Sequence, residues 1–163
     1  MDELKMKLEK VRLCRGRVEV LLPEGFKDMP DYLAKKKYPS KHRPPIILMN
    51  ENNLVNYTFH LMEKPLPWNQ LEIAAKSFVK NLKLTMPQAK FGELEFGERR
   101  QGKIAWITYE SMAIDADIFN LVFLTAIEGK LLYGSFNCVL ELKEQWKDIA
   151  MQSILSIEEV GEE

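Results

Sequence analysis

Hydrophobic positions are densest between residues 102 and 140, GKIAWITYESMAIDADIFNLVFLTAIEGKLLYGSFNCVL. The pattern predicts three long strands in succession, separated by turn signals at Ile114-Asp115-Ala116-Asp117 and Glu128-Gly129-Lys130. Connections of a few residues join only antiparallel neighbours, because a parallel crossover needs a dozen or more. Both faces of these strands are apolar: Ile118, Val122, Leu124 and Ala126 fall on one, and Phe119, Leu121, Phe123 and Ile127 on the other. An antiparallel sheet that shows one face to water alternates apolar with polar. This pattern therefore predicts a sheet covered on both sides.

Two amphipathic helices supply the covers. After Pro67, the positions Leu71, Ala74, Ala75, Phe78, Val79 and Leu82 recur at helical spacing and leave Lys76, Lys80 and Lys83 to solvent. Asn69 followed by Glu72 resembles a capping box. A second helix, from about Leu142 to Ile157, carries the stripe Trp146, Ile149, Ala150, Ser153, Ile154 and Ile157. Upstream, the spacing predicts a hairpin of Val11–Cys14 with Arg17–Leu22 around Arg15-Gly16. A short helix within Asp28–Tyr38 and a strand pair Ile46–Met49 with Leu54–Met62 follow. One further strand is expected over Phe91–Arg99, with Glu93 and Glu95 at a sheet edge. The order of elements predicts an α+β fold: one domain, residues 1–163, built as a three-layer α/β/α sandwich around a central, mainly antiparallel sheet.

Composition adds little constraint. The 163 residues are 46% hydrophobic and 29% charged, with a net charge of −1, so no global field draws the chain to nucleic acid or to an anionic membrane. The first 43 residues nevertheless carry 12 Lys/Arg against 7 Asp/Glu, with the excess concentrated at Lys35, Lys36, Lys37, Lys41 and Arg43. No apolar run reaches the length of a membrane span, and the start, MDELKMKLEKVRLC, is charged throughout, which places the expected location in the cytoplasm. Two cysteines, Cys14 and Cys138, fall in expected strands. They are read as buried, reduced thiols, too few for a disulfide framework.

The residues that carry chemistry assemble into no enzyme signature. His42 and His60 stand 18 positions apart without a metal-ligand partner, no Gly-x-Ser-x-Gly elbow exists, and the glycines form no phosphate loop. Glu93/Glu95 and Asp115/Asp117 are paired carboxylates at an edge and a turn, where solvated charges are expected. Gly134, inside a strand, marks a bulge or a close approach. The expectation is a non-enzymatic module with no cofactor and no metal. Two binding candidates stand out. One is the basic, proline-stiffened stretch Lys35–Pro45, with Tyr38 and Arg43 as anchors and Lys35, Lys36, Lys37 and Lys41 as charges. The other is Trp68, which either staples the helix start hydrophobically or lines an apolar cleft.

The segments Val20-Leu21-Leu22-Pro23-Glu24-Gly25-Phe26, Tyr38-Pro39, Arg43-Pro44 and Asn56-Tyr57-Thr58-Phe59, set in this element order, resemble the PsbP-like superfamily. That group includes extrinsic photosystem II proteins, a Ran-binding nuclear-import factor and DcrB-type bacterial proteins. The resemblance points toward a cytosolic bacterial branch. It implies a binding, adaptor or chaperone-like role, with a protein partner that presents an acidic surface or an apolar helix. The alternative expectation is a small-molecule binding protein or enzyme with its pocket between sheet and helix.

Overall fold

The computed structural model describes residues 7–112 and 116–160. The chain runs β1 (Leu8–Leu13), β2 (Val18–Pro23), β3 (Lys27–Asp28), α1 (Asp31–Lys37), β4 (Ile46–Met49) and β5 (Val55–Pro65). It continues through α2 (Leu71–Thr85), β6 (Lys90–Phe91), β7 (Glu95–Arg99), β8 (Gly102–Met112), β9 (Asp117–Ile127), β10 (Lys130–Val139), α3 (Lys143–Leu155) and β11 (Glu158–Glu159). Every strand pair is antiparallel. The large sheet has the order β3-β4-β5-β10-β9-β8-β6, and β7 also pairs with β8.

The two apolar faces of β9 divide as the sequence pattern requires. Phe119, Leu121, Phe123 and Ile127 enter the main core with Trp146, Ala150 and Ile154 of α3. Val122 and Leu124 face the other way and pack with Ala75 and Val79 of α2. Burying one Leu, Val or Phe side chain contributes about 1.5–3 kcal/mol, so these two layers hold the fold.

The segments quoted for the resemblance are largely structural. Leu22 is buried, Gly25 turns the chain at φ +95°, and Phe26 meets Tyr57 and Trp146 edge-on with centroids 5.2 and 5.9 Å away. Tyr57 and Phe59 stack inside the same core, and the Tyr57 hydroxyl shares a hydrogen bond with Ser153 Oγ at 2.9 Å. Gly134 is a close approach: a Cβ there would lie 2.5 Å from the Thr58 carbonyl oxygen and 2.4 Å from the Phe123 ring.

Several expectations need correction or completion. The N-terminal hairpin, for which the pattern assigns no sheet, stands outside the central one. It forms a separate three-stranded sheet, β1-β2-β11, in the layer with α3. Val18, Val20 and Leu22 alternate inward onto the same core, so the hairpin caps the main sheet face and does not extend its edge. Cys14 lies in the hairpin turn at φ +57°, outside any strand and only half-buried; Cys138 is buried in β10, and both thiols are free. The single strand expected over 91–99 is broken at Gly92–Leu94. The pairing with β8 slips by one residue between Phe91↔Tyr109 and Glu95↔Trp106. Residues 91 and 94 would face opposite sides of an unbroken strand. The slip lets both Phe91 and Leu94 pack under α2. Asn69 caps nothing. Trp68–Gln70 form a 3-10 turn, α2 starts at Leu71 with Gln70 at its N-cap, and no side chain caps it. Lys35, Lys36 and Lys37 sit in the last turn of α1 and not in a loop. The turn signal at Ile114 and Asp115 and the chain end at Gly161-Glu162-Glu163 lie outside the described residues.

Candidate functional site

The face of the large sheet that carries α2 is covered unevenly. α1 has seven residues and packs Ala34 on Met29 and Ile47, at the β4 margin. Between α1 and α2 the sheet shows small polar side chains in place of apolar ones. Thr58 and Ser135 share a hydrogen bond at 2.7 Å, and Asn137 Nδ2 donates to the Tyr38 hydroxyl oxygen at 2.9 Å. Asn120 Nδ2 donates to Ser111 Oγ at 3.0 Å. Tyr109 and Tyr133 border this strip. Burial, with Tyr133 and Tyr38 close by, pushes the Tyr109 phenol up to about 12.

Where the strip reaches the C-terminal end of α1, the surface opens into a cleft of about 620 Å³. Leu33, Leu54, Ile118 and Val139 make it apolar, Lys36 and Lys37 rim it, and Asn53 and Asn137 add amide groups. No carboxylate lines it among the described residues. Lys37 Nζ donates to the Asn53 carbonyl at 3.3 Å. The residue as a whole is exposed, yet its ammonium end is drawn against the protein, and desolvation lowers its pKa. The cleft can seat an apolar group and offer two cations to an anion beside it. A larger groove of about 700 Å³ lies across the Asn50–Asn52 turn, beside Phe26 and Trp146. There Lys7 and Lys27 are offset by Glu24 and Glu51, so it has no dominant sign.

The basic residues expected to act together are split by the fold. Lys36 and Lys37 reach the cleft, whereas Lys35 and Lys41 are exposed away from it. Tyr38 is half-buried: its hydroxyl accepts from Asn137, its carbonyl accepts from Arg43 Nε at 3.0 Å, and burial raises its pKa. Tyr38 and Arg43 thus shape the segment after α1 and do not project from it. Trp68 staples nothing, being 87% exposed, while Leu66 fills the buried position beside Leu71 and Ala75. Leu66 N–H donates to the Gly129 carbonyl, which puts Trp68 at the far end of β5 from Leu54. Eleven residues of strand separate the two, about 35 Å. His42 is exposed and His60 half-buried on β5. No group of three potential metal ligands occurs among the described residues.

Sequence reasoning missed Asn137, Leu54 and Ile118 as cleft residues. Each reads locally as ordinary strand or turn sequence, and only the pairing Ile118↔Val139 with α1 laid alongside gathers them. It also missed Arg99, whose side chain is 1% exposed. Its Nε donates to Thr125 Oγ1 at 2.8 Å and its Nη1 to the Ile157 carbonyl at 3.2 Å, and its guanidinium lies 3.6 Å from Glu159. Arg99 ties β7, β9 and the start of β11 together and has a structural part.

No protein-family model matches the sequence. No curated protein matches it either. Solved structures do match. Cyanobacterial PsbP (CyanoP) from Synechocystis sp. PCC 6803 superposes with a TM-score of 0.67 at 13% identity, over 95% of this chain and 94% of that one. The Saccharomyces cerevisiae Ran-binding protein Mog1p gives 0.61 at 15% identity, covering 96% and 97%. LpqN, involved in cell envelope biogenesis of Mycobacterium tuberculosis, gives 0.55 at 9% identity, covering 94% and 90%. The chain has the PsbP-like fold, an α+β sandwich around an antiparallel sheet. No helix among the described residues is long and apolar enough to cross a membrane.

Proposed function

We propose that this chain is a non-enzymatic protein-binding module, an adaptor or chaperone-like domain, and that the cleft beside α1 receives its partner. The observation that carries this reading is the union of an apolar lining with a rim whose charged groups, among the described residues, are Lys36 and Lys37. Such a surface suits a partner segment whose apolar side chains stand next to carboxylates. The Ran-binding activity in the name of the Mog1p structure supports a protein partner, as the fold is shared. A fold hosts many functions, so the cleft and not the likeness supports the choice of site. The space under α2 amounts to about 10 Å³, room for a single water, whereas the cleft at the end of α1 has room for a protein side chain or a small ligand beside the same sheet face. The open mouth, with Leu54 at 40% exposure, favours the protein.

The test is affinity capture from the source cell's lysate, with a photo-reactive residue in place of Leu54 and mass spectrometry of the adduct. Lys36→Ser with Lys37→Ser is expected to reduce recovery at low salt, with the difference shrinking as salt screens the charges. Lys35→Ser with Lys41→Ser, and Trp68→Ala, are expected to leave it unchanged. Equal recovery by both lysine pairs, or a cross-linked adduct of only small-molecule mass, overturns the reading.

A further inference from the structure

A second surface has a different character. The edge of the small sheet is β1, and its ladder with β2 alternates. Glu24 N–H donates to the Lys7 carbonyl at 2.9 Å, and the same hydrogen-bonded set continues at Glu9, Val11 and Leu13. Opposite Leu8 stands Pro23, which has no N–H. Opposite Lys10 stands Leu21, whose N–H donates to Ser156 Oγ at 2.9 Å, away from β1. In an antiparallel pair the two kinds of position alternate, so the N–H and C=O groups of Leu8, Lys10 and Arg12 point outward. Among the described residues no strand pairs with that outer edge.

The two faces of β1 differ. Val11 and Leu13 turn inward to the main core, and a cleft of about 410 Å³ runs beside them, with Leu22, Phe26 and Leu48 on its apolar part and Glu9, Lys27 and Asp28 on its charged part. Lys10 and Arg12 turn outward and share one carboxylate: Glu19 lies 3.7 Å from Lys10 and 3.5 Å from Arg12. One acid for two cations leaves the outer face positive. A second copy of β1 is a poor occupant. A two-fold antiparallel pairing matches like faces, so it sets Lys10 and Arg12 against their own equivalents.

We propose that the outer edge of β1 is a strand-addition site for an extended segment of a partner protein, with acidic residues on one face and apolar residues on the other. The segment's backbone would exchange hydrogen bonds with Leu8, Lys10 and Arg12. Its carboxylates would stand opposite Lys10 and Arg12, and its apolar side chains would enter the 410 Å³ cleft. Basic residues on an exposed edge also guard against aggregation, and here they select the charge of what is admitted. This site is separate from the α1 cleft and does not depend on it.

The probe is the peptide Thr-Val-Glu-Val-Glu-Val-Thr, with lysines in place of its glutamates as the control, titrated against the full chain at low salt. Binding of the acidic peptide is expected to be at least tenfold tighter than that of the control. The Lys10 and Arg12 amides are expected to gain hydrogen-exchange protection only with the acidic peptide present. Lys10→Pro removes an outward N–H and none of the β1–β2 bonds, so it is expected to weaken binding at least tenfold with the melting temperature little changed. Should Lys10→Pro not fold, Lys10→Gln with Arg12→Gln keeps every backbone group and is expected to abolish the preference for the acidic peptide. Undiminished binding to folded Lys10→Pro, a retained preference in the glutamine pair, or no acidic-peptide binding at all overturns the proposal. So does protection of the Lys10 and Arg12 amides before peptide is added. That protection marks an edge filled by the chain itself if it is independent of protein concentration, and by a second copy if it is not.

Discussion

α1 and α2 lie on the same face of one sheet and treat it in opposite ways. α2 has 15 residues and sets Leu71, Ala75 and Val79 on Ala105, Ile107, Val122 and Leu124, leaving about 10 Å³ between them. α1 has seven residues and reaches only the β4 margin, and the strands beyond it expose polar groups and a cleft of about 620 Å³. The strands change accordingly. Under α2 they present Leu, Val and Ile; toward α1 they present Asn120, Ser135 and Asn137. A long cover lets a sheet face be dry and close-packed, whereas a short one requires side chains that tolerate water. Stability is concentrated at the first place, and room for a partner is left at the second.

Truncation should expose the difference most. Leu124→Ala, under α2, removes a side chain at 4% exposure and is expected to cost about 3 kcal/mol, because the packed layer cannot collapse around the cavity. Ile118→Ala, in the half-buried wall of the cleft, is expected to cost less than half as much. Equal losses in denaturant unfolding would erase the contrast between the two ends.

A middle-sized effect is expected at high pH. The Tyr109 phenol stands at about 12, raised first by burial and then by its phenolic neighbours. An unfolded tyrosine ionises near 10. A raised native pKa means that the neutral form stabilises the fold. That contribution is full below about pH 10 and is lost as pH rises toward 12. Denaturation midpoints should therefore fall between pH 10 and 12, and Tyr109→Phe should flatten part of the decline, because burial also raises Tyr38, Tyr57 and Tyr133. An unchanged slope in that variant would remove Tyr109 from the account.

The smallest effect is expected at the rim. Lys36→Ser with Lys37→Ser should alter folding stability by less than about 0.5 kcal/mol, since exposed charges contribute little. A large loss would make these lysines part of the scaffold and sharpen the comparison in an unexpected direction.

Much of the architecture was legible from periodicity. The two faces of β9, the long helix after Pro67 and the stripe Trp146, Ala150, Ser153 and Ile154 follow from side-chain alternation and helical spacing, whereas Ile157 is buried beyond the end of α3 and a lone strand glycine leaves Gly134 open as a bulge or a close approach. The candidate site was legible only in part. Lys36 and Lys37 were visible as charge, but nothing local distinguishes them from Lys35 and Lys41, because the orientation of a seven-residue helix is set by Ala34 packing on Met29 and Ile47. Trp68 drew notice for its size and stands in solvent, since Leu66 already fills the position beside α2.

What the sequence determines by itself is local: which residues alternate, where Pro and Gly stop an element, and which faces are apolar enough to need covering. Tertiary structure decides which element meets which. It sends the first hairpin to a separate sheet because Val18, Val20 and Leu22 find the core beside α3. It slips the β6–β7 register so that Phe91 and Leu94 share one side. It buries Arg99 where Thr125 and Ile157 supply acceptors. Each of these choices joins residues far apart in the chain. Their free energy comes from surfaces that exist only once the partner element is in place, so no short window of sequence carries the signal.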